Sequence, residues 1–397
     1  MMPSPYRPSY RPGRVLIYSH DSMGLGHLRR CRTIAHALVG ADPDLSVLIL
    51  SGSPIIGSFG FRPRVDFVRV PGVAKLGDGA YTSLGLPFAI EETVRMRASI
   101  MRHAAEAFDP DLLIVDKEPL GLRGEIRPVL EWMRARGRRT VLGLRDILDD
   151  PDRLRAEWAR KLAVPALATF YDEIWVYGCA GIWQPLGGLA LPDAVADKLH
   201  YLGYLRRQAG DDSEAPPPAL PASYLLVTPG GGGDGAALID AVIAAYEADP
   251  ALPWPALLVF GPFMPAAERE GFLTRQRRDR RLFALTFDTA LEALMRDAAG
   301  VVAMGGYNTV CEILSFDRPA LLVPRTQPRL EQSLRARRLA ELGLARHLPD
   351  DLARDPAAMA AALRALPSQP LPSRRLPGGL LDGLDRVVER AAALLAR

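Results

Sequence analysis

Residues 14–40, "RVLIYSHDSMGLGHLRRCRTIAHALVG", pass from an apolar run to an amphipathic one through a corner holding Gly24, Gly26 and His27. The first run predicts a strand over 14–19 and the last a helix over 26–39. Two glycines at such a junction permit a tight turn and let a ligand approach the backbone closely. A dinucleotide fingerprint needs a third glycine at position 29, where Arg29 stands. It also needs an acid after the second strand, which instead ends "LILSGS". A nicotinamide site is therefore disfavoured. What remains is His27 at a helix N-terminus beside a cleft. The positive end of the helix disfavours imidazolium and keeps the ring a proton acceptor. A positioned base of that kind contributes ~10²–10⁴-fold in rate. The alternative is a histidine that caps or packs the turn.

The same strand-to-helix rhythm runs through the chain. Strands are expected near 14–19, 46–51, 65–70, 111–115, 139–144, 173–177 and 199–203, with helices near 26–39, 87–107, 123–136 and 152–168. The polar, proline-rich stretch 206–222 reads as a linker. After it, strands are expected near 224–228, 256–260, 281–285, 300–304 and 319–323, alternating with further helices. Alternation of this kind predicts parallel sheets. The organisation read from it is a loose tail over 1–13, a first α/β domain over 14–205, a second over 223–370, and a tail with an amphipathic helix over 371–397. The length of 397 residues suits two cores better than one. A balance of 49 basic against 46 acidic residues, net +3, demands no nucleic-acid partner. Only four of the basic residues are lysines, and the abundance of arginine lowers the weight of any single one. Three scattered cysteines offer no metal pattern and fit a reducing compartment. No long apolar span is present and the opening lacks the apolar core of a signal peptide, so a cytoplasmic chain with at most peripheral membrane contact is expected.

In open parallel sheets, ligands bind beyond the carboxyl ends of the strands. Three further corners fit that rule. In "YLLVTPGGGGDGAALIDAV" a strand runs into Gly230, Gly231, Gly232, Gly233, Asp234 and Gly235, whose amides suit a diphosphate. No Lys-Ser/Thr follows, so it is not a Walker loop; the alternative is a flexible turn. In "GVVAMGGYNTVCEILSF" a strand ends at Gly305-Gly306, and Asn308 and Thr309 open a helix. Glu312 either accepts from ribose hydroxyls or closes a capping box with Thr309. In "PALLVPRTQPRLEQSLRARR" Glu331 and Gln332 stand in the first turn of a helix, a carboxylate and an amide able to chelate sugar hydroxyls. Arg335, Arg337 and Arg338 read as a solvated face. Asp116, Lys117 and Glu118, and the pair Arg145-Asp146, follow strands of the first half, as auxiliary or acceptor-side groups or as ion pairs holding loops.

Residues 304–344, "MGGYNTVCEILSFDRPALLVPRTQPRLEQSLRARRLAELGL", resemble the C-terminal domain of family 28 glycosyltransferases, the group that includes the lipid-linked N-acetylglucosaminyltransferase of peptidoglycan synthesis. The glycine run 230–235 is similar to that family's diphosphate loop. "GLGHLRRCRTIAHAL" resembles the N-terminal loop of the same superfamily and is closer still to that of the nucleotide-sugar hydrolase of the pseudaminic acid pathway. With "VDKEPLGLRGE" and "LGLRDILDDP", the whole chain resembles a group known as predicted glycosyltransferases. The resemblance implies a GT-B fold, two Rossmann-like doubly wound domains facing a cleft. It further implies diphosphate at Gly231 to Gly235 and at Asn308-Thr309, a base, uracil by family inference, near Phe287, ribose at Glu312 and sugar hydroxyls at Glu331-Gln332, where the family more often has Asp-Gln.

The expected activity is transfer of a sugar from a nucleotide-diphosphate donor, a UDP-sugar, to an unidentified acceptor hydroxyl. His27 would serve as base, with inversion and with neither metal nor cofactor. The two "DPD" triplets, at 42–44 and 109–111, precede strands and so lie at the wrong end of the sheet for chemistry. Rival expectations are a nucleotide-sugar hydrolase or epimerase on the same fold, and a non-catalytic nucleotide-sugar binder.

Overall fold

The computed structural model describes residues 12–21, 25–75, 80–208, 220–231, 233–286 and 291–396. The strands of the first half are β1 (Arg14–Ser19), β2 (Ser46–Ser51), β3 (Val65–Arg69), β4 (Val73–Lys75), β5 (Tyr81–Ser83), β6 (Leu112–Asp116), β7 (Arg139–Arg145), β8 (Glu173–Tyr177) and β9 (Leu199–Tyr201). Those of the second are β10 (Leu225–Thr228), β11 (Ala256–Val259), β12 (Leu282–Leu285), β13 (Gly300–Ala303), β14 (Ala320–Leu322) and β15 (Arg346–His347). Seven strands form one sheet in the order β3-β2-β1-β6-β7-β8-β9, and six form another in the order β12-β11-β10-β13-β14-β15. All pairings within both sheets are parallel; β4 and β5 form a separate antiparallel hairpin. The runs of Leu, Ile and Val in β1, β6, β10 and β13 are continuous rather than alternating because helices cover both sheet faces.

In each sheet the strand order reverses once. The first reverses between β1 and β6, the second between β10 and β13. Crossovers leave these strands in opposite directions, so a crevice opens at their carboxyl ends and nowhere else along the sheet. The segments that leave β1, β10 and β13 carry the glycine corners, with His27 after β1, and the segment that leaves β6 carries Lys117 and Glu118.

The helix expected over 152–168 is two helices, Pro151–Arg160 and Ala163–Phe170, broken where Leu162 takes a left-handed φ of 52°. The helix Gly383–Leu395 does not hang free: it returns to the first half and packs on the helix Gly26–Ala41. The Leu380 carbonyl accepts from Tyr204 N–H at 2.7 Å, and Arg390 holds Glu173 at 2.5 Å. A Cβ on Gly383 would lie 2.6 Å from the Gly203 carbonyl, so only glycine allows this crossing. One apolar cluster consequently joins Val15 and Ile17 of β1 to Leu226 and Val301 of the second sheet through Leu380, Val387 and Leu394. No helix among the described residues is long and apolar enough to cross a membrane.

Candidate active site

At the β1/β6 reversal, Asp21 fastens the corner: its Oδ1 accepts from Leu28 N–H at 3.1 Å and its Oδ2 from the Ser51 hydroxyl at 2.5 Å. This holds the first turn of the helix Gly26–Ala41 against the sheet, with His27 in that turn. The His27 Nδ1 hydrogen-bonds Asp116 Oδ2 at the end of β6. Arg30 donates twice to the other oxygen, at 2.8 and 2.6 Å. Burial alone would raise the Asp116 carboxyl, but Arg30 and then His27 outweigh it and hold it well below the usual range. A carboxylate only accepts, so the His27 proton sits on Nδ1 and Nε2 keeps its lone pair. The approach of Arg30 to the same Nδ1, 3.1 Å, is then a contact between two donors.

The His27 pKa lies below its ordinary value, chiefly through burial, with Asp116 opposing and Arg30 and Lys117 adding. Burial, the largest cause of the shift, favours the neutral ring. Next to it, Lys117 sits in a left-handed conformation (φ 67°) and is brought down to about 8 by burial, against the pull of Glu118. Glu118 is shared between Lys117 at 3.4 Å and Lys161 at 2.7 Å.

At the β10/β13 reversal, the loop after β10 leads into the helix Ala236–Ala248, and Gly305-Gly306 lead into the helix Tyr307–Ser315. Neither helix has a side-chain cap. Their first amides are thus left for another acceptor. Gly305 has φ of 79°, and a Cβ on Gly235 would stand 2.1 Å from Pro229. A Cβ on Gly231 would stand 2.7 Å from Leu25, so this loop abuts the His27 corner across the cleft. Gly24, Gly232 and Phe287 lie outside the described residues.

The remaining predicted residues converge on the same crevice, but several are already paired across it. Asn308 donates to the Gly26 carbonyl at 2.8 Å and accepts from Arg207 at 2.8 Å. Glu312 is fully buried and pairs with Arg29 at 2.7 Å, which also holds Glu292 at 2.7 Å. Gly306 is the N-cap residue of this helix, which excludes the capping box of Thr309 and Glu312. Glu331 pairs with Arg145 at 2.6 Å, and Arg325 bridges it to Asp234. Gln332 Oε1 is buried without a hydrogen-bond partner among the described residues.

The solvated face expected for residues 335–338 is corrected at two positions. Arg335 is buried, donating to Asp146 at 2.7 Å and to the Gly305 carbonyl at 2.9 Å. Arg338 donates to the Ile182 carbonyl at 3.1 Å. Asp146 also accepts from Tyr204 at 2.8 Å. Asp149 accepts from Leu330 N–H at 2.8 Å. Arg29, Asp149 and Arg207 were not expected at the site and Arg335 was expected in solvent, whereas Asp146 was a candidate beside Arg145. Only "RD" at 145–146, placed after a strand, gave a signal.

Residues 232–373 match the glycosyltransferase family 28 C-terminal domain. Among solved structures, the glycotransferase of kitacinnamycin superposes with a TM-score of 0.63 at 16% identity, covering 98% of this chain and 99% of that one. UGT2 of Phytolacca americana gives 0.62 at 15%, covering 98% of both chains. The MurG of Acinetobacter baumannii gives 0.54 at 13%, covering 97% and 99%. No curated protein matches in sequence. The fold is therefore GT-B. Within that fold, the second half matches the C-terminal domain of family 28 glycosyltransferases.

Proposed function

We propose that the chain transfers a glycosyl group from a UDP-sugar to an acceptor hydroxyl with inversion at the anomeric carbon. The observation that carries this reading is the His27–Asp116 pair at one sheet reversal facing two uncapped helix starts at the other. His27 Nε2 takes the acceptor proton as the oxygen attacks the anomeric carbon and the bond to the diphosphate oxygen breaks. The charge left on the diphosphate is met by the amides of Gly231 to Gly235 and of Gly306 to Thr309, where oriented donors act strongly because they need no rearrangement. No step is routed through a metal, because the acidic triplets at 42–44 and 109–111 precede β2 and β6 at the opposite end of the sheet.

Gln332 Oε1 is a buried acceptor without a hydrogen-bond partner among the described residues and Glu331 Oε2 is a buried acceptor met by Arg145 at 2.6 Å; both are suited to sugar hydroxyls. Glu312 is assigned to the ribose, which must displace Arg29. Lys117, Glu118 and Arg145 line the acceptor side. The uridine assignment draws on the family resemblance and on UGT2 of Phytolacca americana, solved with UDP-2-fluoro-glucose and pterostilbene. Incubation with UDP-sugars tests the reading: UDP release that requires an added hydroxyl acceptor is expected. Stoichiometric release of free sugar without acceptor would instead make the chain a hydrolase, a new sugar isomer would make it an epimerase, and binding without any turnover would leave only a binder.

A further inference from the structure

His20 lies one residue beyond β1, at the same reversal as His27, and the proposed mechanism does not use it. Its side chain is determined by a buried chain of hydrogen bonds. Arg97 donates to both oxygens of Glu125, at 2.5 and 2.6 Å. The Tyr18 hydroxyl donates to Glu125 Oε1 at 2.7 Å and accepts from Leu122 N–H at 3.1 Å. Its one proton is thereby committed, so the 3.1 Å contact with His20 Nδ1 requires that the imidazole be the donor. Burial keeps the Tyr18 hydroxyl protonated and drives the His20 pKa well below its ordinary value. The groups around it are Glu118 and Lys117 after β6, His27 on the facing helix, and Asp116 at the end of β6.

His20 is thus a neutral ring with its proton on Nδ1 and a lone pair on Nε2. It is only 7% exposed, and Nε2 has no hydrogen-bond partner among the described residues. His27 has the same tautomer for an independent reason, its bond to Asp116. The two rings meet edge to face with centroids 5.5 Å apart. Two neighbouring lone pairs cannot bond each other, and neither is met by a donor among the described residues, so both are open to a ligand hydroxyl.

We propose that His20 is a second recognition residue of the acceptor site, its Nε2 accepting from a hydroxyl adjacent to the one His27 deprotonates, so that the acceptor is a saccharide or other polyol rather than a compound with a single hydroxyl. This rests on the reading of His27 as the base. Tyr18, Glu125 and Arg97 are then positioning residues that fix the tautomer.

Histidine ¹⁵N spectra of the full chain, assigned with His20→Gln and His27→Gln, test this without turnover. At neutral pH His20 is expected to carry its proton on Nδ1. With UDP present, trans-1,2-cyclohexanediol is expected to shift the Nε2 signals of both histidines, and cyclohexanol only that of His27. In kinetics, His20→Asn keeps a donor for Tyr18 and removes the distal acceptor. It should raise KM for the diol roughly three- to tenfold more than KM for cyclohexanol, and be rescued by His20→Gln. A proton on Nε2, or a His20 signal that stays still while the diol shifts His27, overturns the inference and leaves the transferase reading standing. Immobility of both signals overturns both.

Discussion

Asp116 governs the state of His27, and Arg30 governs the state of Asp116. Replacing His27 with Ala should lower turnover by about 10²–10⁴-fold while UDP binding persists. With the His27 pKa below its ordinary value, the acid limb of the rate due to His27 should lie below pH 6.5, the rate falling there as the ring takes up a proton. Because Asp116 pulls that pKa upward, Asp116→Asn should move the acid limb to still lower pH and also depress the plateau, since an amide no longer dictates the tautomer. A pH–rate profile of both proteins checks the sign. His27 and Asp116 were legible in the sequence because a histidine at a glycine corner and an acid at a strand end announce themselves locally. Arg29 and Arg335 were not. On a helix in an arginine-rich chain they look like any solvated arginine, and only the packing of the second sheet against the first reveals their partners.

The helix starts after β10 and β13 depend on backbone conformations that side chains resist. Gly235→Ala would drive a methyl into Pro229, and relieving such overpacking costs about 1–3 kcal/mol. The midpoint of unfolding should fall, and UDP affinity, measured by calorimetry, should fall with it as the loop shifts to relieve the contact. Gly271→Ala, on the helix Ala266–Gln276 and meeting nothing within 4 Å, is the control expected to bind normally. The order of strands and helices was readable because fully buried parallel strands give unbroken apolar runs bounded by turn residues. Less visible were β15, with two residues, and the helix Pro356–Ala365, whose alanine-rich run lacks a strong apolar period. The break at Leu162 left no mark either, since neither glycine nor proline signals it.

Across the cleft, the two halves are held by charges that the donor would have to share. Asp146 and Arg335 are each 1% exposed. Removing one partner strands the other in the interior, so Asp146→Ala should cost about 3–5 kcal/mol in chemical denaturation. Glu331 behaves differently with pH. Burial would raise its carboxyl, but Arg145, Arg335 and Arg325 bring it down to about 2. Its stabilising contribution is therefore complete above its ordinary value of 4.5 and is lost as pH falls towards 2. Glu331→Gln should lower the melting temperature at pH 7 and converge with the parent protein in strong acid. Sequence reasoning anticipated a cleft lined by Glu312 and Glu331; it did not anticipate that arginines of the first half already occupy both carboxylates, because charge pairing between distant segments has no local signature.

The most direct test of the central claim is a crystal structure with UDP bound. The diphosphate is expected against the amides of residues 231–235 and 306–309, with the ribose on Glu312 in place of Arg29 and His27 Nε2 facing the β-phosphate side of the cleft. A diphosphate bound anywhere else, or a His27 ring turned away from it, would contradict the account.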